Sequence, residues 1–215
     1  MVKLVNKNRH RVPVFFHSQL NLKIGLVGGS FNPAHDGHIH ITIEAKKRLQ
    51  LDQIWWLVSP QNPLKSSIGM ETITSRLDNA QLLTVNLPFV RVISPEINLP
   101  RNYTYETLKF LRSIIPFARF VWIMGADNMV QLSKWHRHRE MTHLLPIAVI
   151  DRPGYSHKAI AAGRKFFKRR LTVSGMRYAL RFRKNKLPAW CFIAGQKHNA
   201  SATLIRSKIK KQKTL

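Results

Sequence analysis

Short apolar runs recur along this chain, and between most of them apolar positions return at helical spacing. Leu22-Lys23-Ile24-Gly25-Leu26-Val27 predicts a first strand that ends at Gly28-Gly29, followed by a helix from about Gly37 to Leu49. Ile54 to Val58 predicts a second strand, stopped by Pro60, while Met70, Ile73, Leu77, Ala80 and Leu83 follow a helical period. Phe89 to Ile93 supplies a third strand, Thr104 to Ile114 a helix closed by Pro116, and Ala118 to Met124 a strand apolar enough to be covered on both faces. Pro146 to Ile150 gives a fifth strand and Trp190 to Ala194 a sixth. Between those two, Ala159 to Phe182 mixes apolar pairs with Lys and Arg as one or two basic amphipathic helices do, and Ser201 to Lys211 reads as a terminal helix. Alternation of this kind is the mark of an α/β chain with a parallel sheet and crossover helices.

Length adds a boundary to that picture. With 215 residues, 44% of them hydrophobic, one α/β domain can bury a full core. Residues 22–215 are read as that single domain, ending in a basic tail, and residues 1–21 as a basic extension. The apolar piece Val12 to Phe16 is short and runs into His17 and Ser18 rather than a cleavage site, so no signal peptide is expected. Nothing approaches the roughly 18 apolar residues of a membrane span, so no membrane partner is expected. Cys191 is the only cysteine and lies in the apolar run Ala189 to Ile193, which predicts a buried, inert thiol and fits a reducing, cytoplasmic setting.

Charge narrows the ligands. The formal net charge is +26, with 36 Lys or Arg against 10 Asp or Glu, so polyanions should be attracted. All ten carboxylates lie between Asp36 and Asp151, and carboxylate chemistry is confined to that part. Arg164 to Lys186 and Lys208 to Lys213 would suit a nucleic acid, but they leave the strongest local signal unexplained, and nucleic acid is not expected as the main ligand, while the basic segment 158–186 has no assigned role.

That signal is Gly28-Gly29-Ser30-Phe31-Asn32-Pro33-Ala34-His35-Asp36-Gly37-His38, set where the first strand gives way to the first helix. Ligands of open α/β sheets bind at that edge, glycines admit a phosphate close to the backbone, and a helix start offers N–H groups to an anion. The rival reading, a tight turn flanked by surface histidines, suits the glycines alone but not His-x-Gly-His attached to them. His35, Asp36, His38 and His40 are also metal-ligand types, yet no cysteine or evident further ligand joins them, and no protein-bound metal is expected.

The segment resembles the signature of the nucleotidyltransferases related to class I aminoacyl-tRNA synthetases. Further segments are similar to those of the nicotinate-nucleotide adenylyltransferases: Asn62-Pro63-Leu64-Lys65, Asn102 to Leu108, Gly125-Ala126-Asp127-Asn128, Trp135, Arg152-Pro153-Gly154-Tyr155, and Ser201 to Arg206. The resemblance runs from about Leu22 to Lys211. It implies a Rossmann-like doubly wound parallel sheet of nucleotidyltransferase type and transfer of AMP from ATP to nicotinate mononucleotide, giving deamido-NAD and pyrophosphate. Other acceptors used in the superfamily are nicotinamide mononucleotide and phosphopantetheine. One departure is Asn32, where many members carry Asp.

The resemblance also implies roles. His35, His38 and Arg206 would act on the triphosphate. Gly28, Gly29, Ser30, Phe31, Lys65, Gly125, Asp127, Ser201 and Thr203 would bind ATP, while Tyr103, Thr104 and Trp135 would frame the pyridine ring. For Asp127 a simple helix cap, and for Trp135 a place in the core, are the rival readings. The attacking 5′-phosphate is already ionised at neutral pH, so the reaction needs alignment and charge neutralisation rather than a general base. Mg2+ is expected with ATP, held mainly through phosphate oxygens and water.

Overall fold

The computed structural model describes residues 21–60, 69–95, 103–182 and 186–195. Its frame is one parallel sheet of seven strands: β1 (Lys23–Gly29), β2 (Gln53–Val58), β3 (Val90–Ile93), β4 (Arg119–Gly125), β5 (Ile147–Ile150), β6 (Arg169–Leu171) and β7 (Ala189–Ile193). They lie in the order β3-β2-β1-β4-β5-β7-β6, and every neighbouring pair runs parallel. The chain winds outward from β1 through β2 to β3, then returns to start again at β4 on the other side of β1. That reversal opens a crevice at the carboxyl ends of β1 and β4, where ligands of such sheets bind.

Among the described residues seven α-helices cover the two faces: α1 (Asp36–Leu49), α2 (Ile73–Leu83), α3 (Thr104–Ile114), α4 (Ala126–Gln131), α5 (His138–Thr142), α6 (Ser156–Phe166) and α7 (Val173–Phe182). Strand side chains alternate between faces, and the two cores sort accordingly. Val121 and Ile123 of β4 join Ile41, Ala45, Leu77, Ala80, Met176 and Leu180 from α1, α2 and α7. Phe120, Trp122 and Met124 join Leu108, Leu111, Met129, Met141 and Ala159 from α3 to α6 on the opposite face. The sheet is therefore covered on both sides, which is why its central strands are almost purely apolar. Two buried indoles of β2, one on each face of the sheet, keep their N–H groups satisfied: Trp55 donates to Gln53 Oε1 at 2.9 Å and Trp56 to Thr42 Oγ1 at 2.8 Å.

The helices and strands expected from the pattern are present among the described residues, with shifts at their ends. Met70 falls outside α2, which starts only after Thr72, whose hydroxyl accepts from the Ser75 N–H at 3.2 Å. The expected sixth strand is β7, because a short edge strand, β6, precedes it. Its residues Arg169 and Arg170 are exposed, so it carries no apolar alternation to reveal it. The basic stretch between β5 and β7 resolves into two helices, α6 and α7, on either side of β6. Residues 1–20 and the expected terminal helix with its basic tail lie outside the described residues. Among the described residues no helix is long and apolar enough to cross a membrane.

Cys191 is fully buried in β7, and burial pushes its thiol up to about 12. Thiol reagents at neutral pH should therefore leave the folded protein unlabelled and modify one thiol on denaturation; rapid labelling of the native protein would contradict this placement. At Gly163 a Cβ would lie 2.4 Å from the Trp190 ring. Gly163→Ala should lower the thermal midpoint, since overpacking costs about 1–3 kcal/mol and exceeds the helix-propensity gain of at most about 1 kcal/mol. A raised midpoint would show that Trp190 moves aside freely.

Candidate functional site

The loop from Gly28 to His38 closes the carboxyl end of β1, and its glycines have a steric reason. A Cβ on Gly28, near the end of β1, would stand 2.3 Å from Cη2 of Trp122 on the neighbouring β4, so the strand accommodates that indole only without a side chain at this position. Phe31 takes a left-handed backbone, φ 46°, which a bulky residue adopts at a cost of about 1–3 kcal/mol. Burial of its ring offsets that cost. It is 1% exposed, stacked on Trp56 at 4.8 Å between centroids and tilted against His38 at 4.6 Å.

The start of α1 is capped by histidines. The Gly37 N–H donates to Nδ1 of His35 at 3.1 Å, and the His35 N–H donates to Nδ1 of His38 at 3.2 Å. This reciprocal arrangement satisfies two donors of the first helical turn, as a capping box does. It also fixes both imidazoles: with Nδ1 accepting, the ring proton is on Nε2. The two rings lie 3.9 Å apart between centroids. A pair of imidazole N–H donors at the start of a 14-residue helix suits an anion.

A second set of groups lies across the crevice, at the ends of β4 and β5. Gly125 ends β4 and caps α4 with no side chain; a Cβ there would meet Asp127 Oδ1 at 2.5 Å and Arg152 Cδ at 3.1 Å. Asp127 is not the cap of α4. Its Oδ2 pairs with Arg152 Nη1 at 2.9 Å, while its Oδ1 is buried and accepts no hydrogen bond from the described residues. A buried carboxylate oxygen in that state suits a hydroxyl donor from a ligand. Asp151 accepts from the Arg152 N–H at 2.8 Å and from Ser156 Oγ at 2.6 Å, which holds the Arg152 segment against β5.

The third set joins the start of α3 to the turn after α4. Tyr103 stacks on His136, with centroids 4.2 Å apart, and Trp135 stands edge-on against Trp122 at 6.1 Å. Trp135 is half-buried, so one part of its indole belongs to the core while another faces out. Arg137 lies over the Tyr105 ring at 4.2 Å and pairs with Glu140 at 3.1 Å. Glu140 holds the Arg137 guanidinium above the ordinary arginine value, and its own carboxyl lies below the usual range, chiefly through hydrogen bonds to its backbone and to Arg137.

The structure thus gathers Gly28, Gly29, Ser30, Phe31, His35 and His38 at the end of β1, Gly125 and Asp127 at the end of β4, and Tyr103 beside the turn that carries Trp135. Thr104 opens α3 next to Tyr103. Lys65, Ser201, Thr203 and Arg206 lie outside the described residues. Arg152 and His136 were not singled out as site residues by the sequence. Arg76 was missed as well, although it falls on the apolar stripe Ile73, Leu77, Ala80, and that spacing was a legible signal. Its side chain reaches four backbone carbonyls beneath the loop after β1, and burial pushes its guanidinium below the ordinary arginine value against the opposing charge of Glu71. Among the described residues no group of three or more His, Cys, Asp or Glu is placed to hold a metal ion.

Comparison with known proteins gives this geometry its relatives. The model of the cytidylyltransferase-like family matches residues 26–208. A probable nicotinate-nucleotide adenylyltransferase of Parvibaculum lavamentivorans is 44% identical over 187 residues, covering 87% of this chain and 92% of that one. A protein of the same description from Methylorubrum extorquens is 39% identical over 189 residues, covering 87% of this chain and all of that one. Among solved structures, the nicotinic acid mononucleotide adenylyltransferase of Plasmodium falciparum, complexed with NaAD, superposes with a TM-score of 0.64. It covers 86% of this chain and 83% of its own at 15% identity, a likeness of fold.

Trp122 sits between the two sides of the crevice, touching the place of a Gly28 side chain and the edge of Trp135. Gly28→Ala should therefore lower the thermal midpoint, with an overpacking cost of about 1–3 kcal/mol. The double variant Gly28→Ala, Trp122→Phe should recover part of that loss because the smaller ring vacates the colliding atoms. Additive losses in the double variant would contradict the contact.

Proposed function

Because the chain belongs to the cytidylyltransferase-like family and, within it, to the nicotinate-nucleotide adenylyltransferases, we propose how its own residues carry that family's reaction. The reaction moves AMP from ATP to nicotinate mononucleotide and yields nicotinate adenine dinucleotide and pyrophosphate, a step of NAD biosynthesis. The observation that supports the assignment of residues best is the histidine pair capping α1 at the carboxyl end of β1.

In this reading the ATP triphosphate lies along Gly28, Gly29, Ser30 and Phe31, and its oxygens take the Nε2–H groups of His35 and His38. Those donors are aimed before substrate arrives, because the cap already uses both Nδ1 atoms. Charge that builds on the α-phosphate and on the departing pyrophosphate then meets fixed dipoles, which is where preorganisation lowers a barrier. Asp127 Oδ1 accepts from a hydroxyl of the ATP ribose, with Gly125 leaving room for the sugar. Trp135 stacks on the pyridine ring, and the backbone N–H groups of Tyr103 and Thr104 at the start of α3 meet the nicotinate carboxylate. Lys65, Arg206, Ser201 and Thr203 complete the proposal as phosphate contacts from segments outside the described residues.

The divalent cation that ATP-using nucleotidyltransferases generally require is taken to be Mg2+. The donor set fits an ion held by the substrate: the loop offers imidazoles and amides rather than a cage of carboxylates. When bound through phosphate oxygens and water, it supplies neutralising charge to the triphosphate. A cytoplasmic location belongs to the same proposal, since ATP is drawn from that compartment.

Pyrophosphate release with ATP and Mg2+ should be fastest with nicotinate mononucleotide, slower with nicotinamide mononucleotide and absent with phosphopantetheine. Preference for another acceptor would overturn the proposed pyridine contacts. His38→Ala should lose about 10²–10³ in kcat, the scale of a lost transition-state donor. His38→Asn, which retains an acceptor for the His35 N–H, should regain stability without turnover. Wild-type turnover in either variant would remove His38 from the machinery. Chelation of divalent cations should stop release, and added Mg2+ should restore it; release that persists under chelation contradicts the ion's role.

A further inference from the structure

Resting on the adenylyl-transfer reading of the β1–α1 loop, we propose that Arg76 is a positioning residue for the reaction, a buried guanidinium that locks the nucleotide loop to the chain leaving β2. Arg76 is on α2 and is 1% exposed. Helical spacing puts it on the same face as Ile73, Leu77 and Ala80, where a charged group carries a large desolvation cost unless its donors are satisfied. Four of its five N–H donors are taken by backbone carbonyls: Nη1 donates to Ser30 O at 2.6 Å and Ser59 O at 2.7 Å, Nη2 to Pro60 O at 2.6 Å and Nε to Glu71 O at 3.0 Å.

Those four carbonyls come from three separate stretches: the loop after β1, the end of β2 and the approach to α2. One planar fork with five N–H donors can gather them; a lysine ammonium, with three donors at a single point, cannot. The Glu71 carboxylate is engaged elsewhere, by Ser75 Oγ at 2.7 Å and Asn79 Nδ2 at 3.2 Å. The Arg76 charge is thus held by dipoles that include the carbonyl of Ser30, inside the proposed triphosphate loop. Asn32 makes a second tie between the same segments, with its Nδ2 donating to Gly69 O at 3.2 Å and its Oδ1 accepting from the Glu71 N–H at 3.2 Å. The amide is needed for this, because an ionised Asp, common at this position in the family, has no donor for Gly69 O.

The path from the clamp to the chemistry is short. Ser30 precedes Phe31, whose left-handed backbone sets the ring against His38 at 4.6 Å. A displacement of Ser30 therefore shifts Phe31 and the imidazole it supports. In-line transfer tolerates little of this, since a misplacement of about 1 Å can cost on the order of 10²-fold in rate.

The test compares Arg76→Lys and Arg76→Met with the parent and with Gly163→Ala, a destabilised control remote from the loop. All are assayed at a temperature where their unfolding curves show the folded state. Arg76→Met should lose about 10²-fold in kcat and Arg76→Lys less, with the KM for nicotinate mononucleotide unchanged in both. Asn32→Asp should show a smaller kcat loss of the same kind, and Gly163→Ala none per folded molecule. Should Arg76→Met fail to fold, Arg76→Lys and Asn32→Asp carry the test. Parent-like kcat in the folded Arg76 variants, or an equal loss in Gly163→Ala, overturns the proposal. An inactive parent overturns the functional reading and this inference with it, whereas an active parent with unimpaired Arg76 variants overturns this inference alone.

Discussion

A loop proposed to bind phosphate must turn donors outward while its own backbone stays satisfied inward, and one pair of hydrogen bonds suits both demands here. The N–H groups of Gly37 and His35 are taken by Nδ1 of His35 and His38, so each imidazole serves as a cap on one edge and holds its proton on the other. Without that reciprocity the rings could rotate or change tautomer, and their polarity toward an anion would be lost. The cap in turn rests on a stack reaching into the core. His38 leans on Phe31, Phe31 on Trp56, and the Trp56 N–H is held by Thr42 of α1. The helix that the histidines cap therefore anchors the aromatic ring that supports them.

The parallel sheet fixes where this device can work. Strand order reverses between β1 and β4, and the three groups of site residues collect at the carboxyl end of that boundary. Trp122 links them from beneath, since it fills the space a Gly28 side chain would need and meets Trp135 edge-on. The loop side and the proposed pyridine side of the crevice thus share one rigid support. That suits a reaction in which two polyanionic substrates must be aligned in line and little covalent chemistry is left to the protein.

Much of this was legible in the chain because the central strands are covered on both faces and advertise themselves as apolar runs. The helix Thr104–Ile114 was legible to the residue, closed as it is by Pro116. Legibility failed where structure depends on short or exposed elements. The strand Arg169–Leu171 has charged residues at a sheet edge, and the helices Ala126–Gln131 and His138–Thr142 are too brief to show a period. At the site, the glycine and histidine segment was readable because each residue type answers a local need. Asp127 was named through the family resemblance, whereas its residue type alone also fits a helix cap, and only tertiary structure shows its carboxylate turned to Arg152. Arg76 was hidden. Its partners are backbone carbonyls, which carry no sequence signature, although a charged residue on an apolar stripe pointed to a buried role.

The proposed phosphate site depends on the imidazole tautomers, and nitrogen-resolved NMR of the histidine side chains measures them directly. With assignments made by His35→Ala and His38→Ala, the two rings should appear in the free protein as neutral tautomers protonated on Nε2, and the Nε2–H signals should move on addition of ATP. Protonation on Nδ1 in either ring, or signals indifferent to ATP, would contradict the reciprocal cap and its role as the phosphate donor pair.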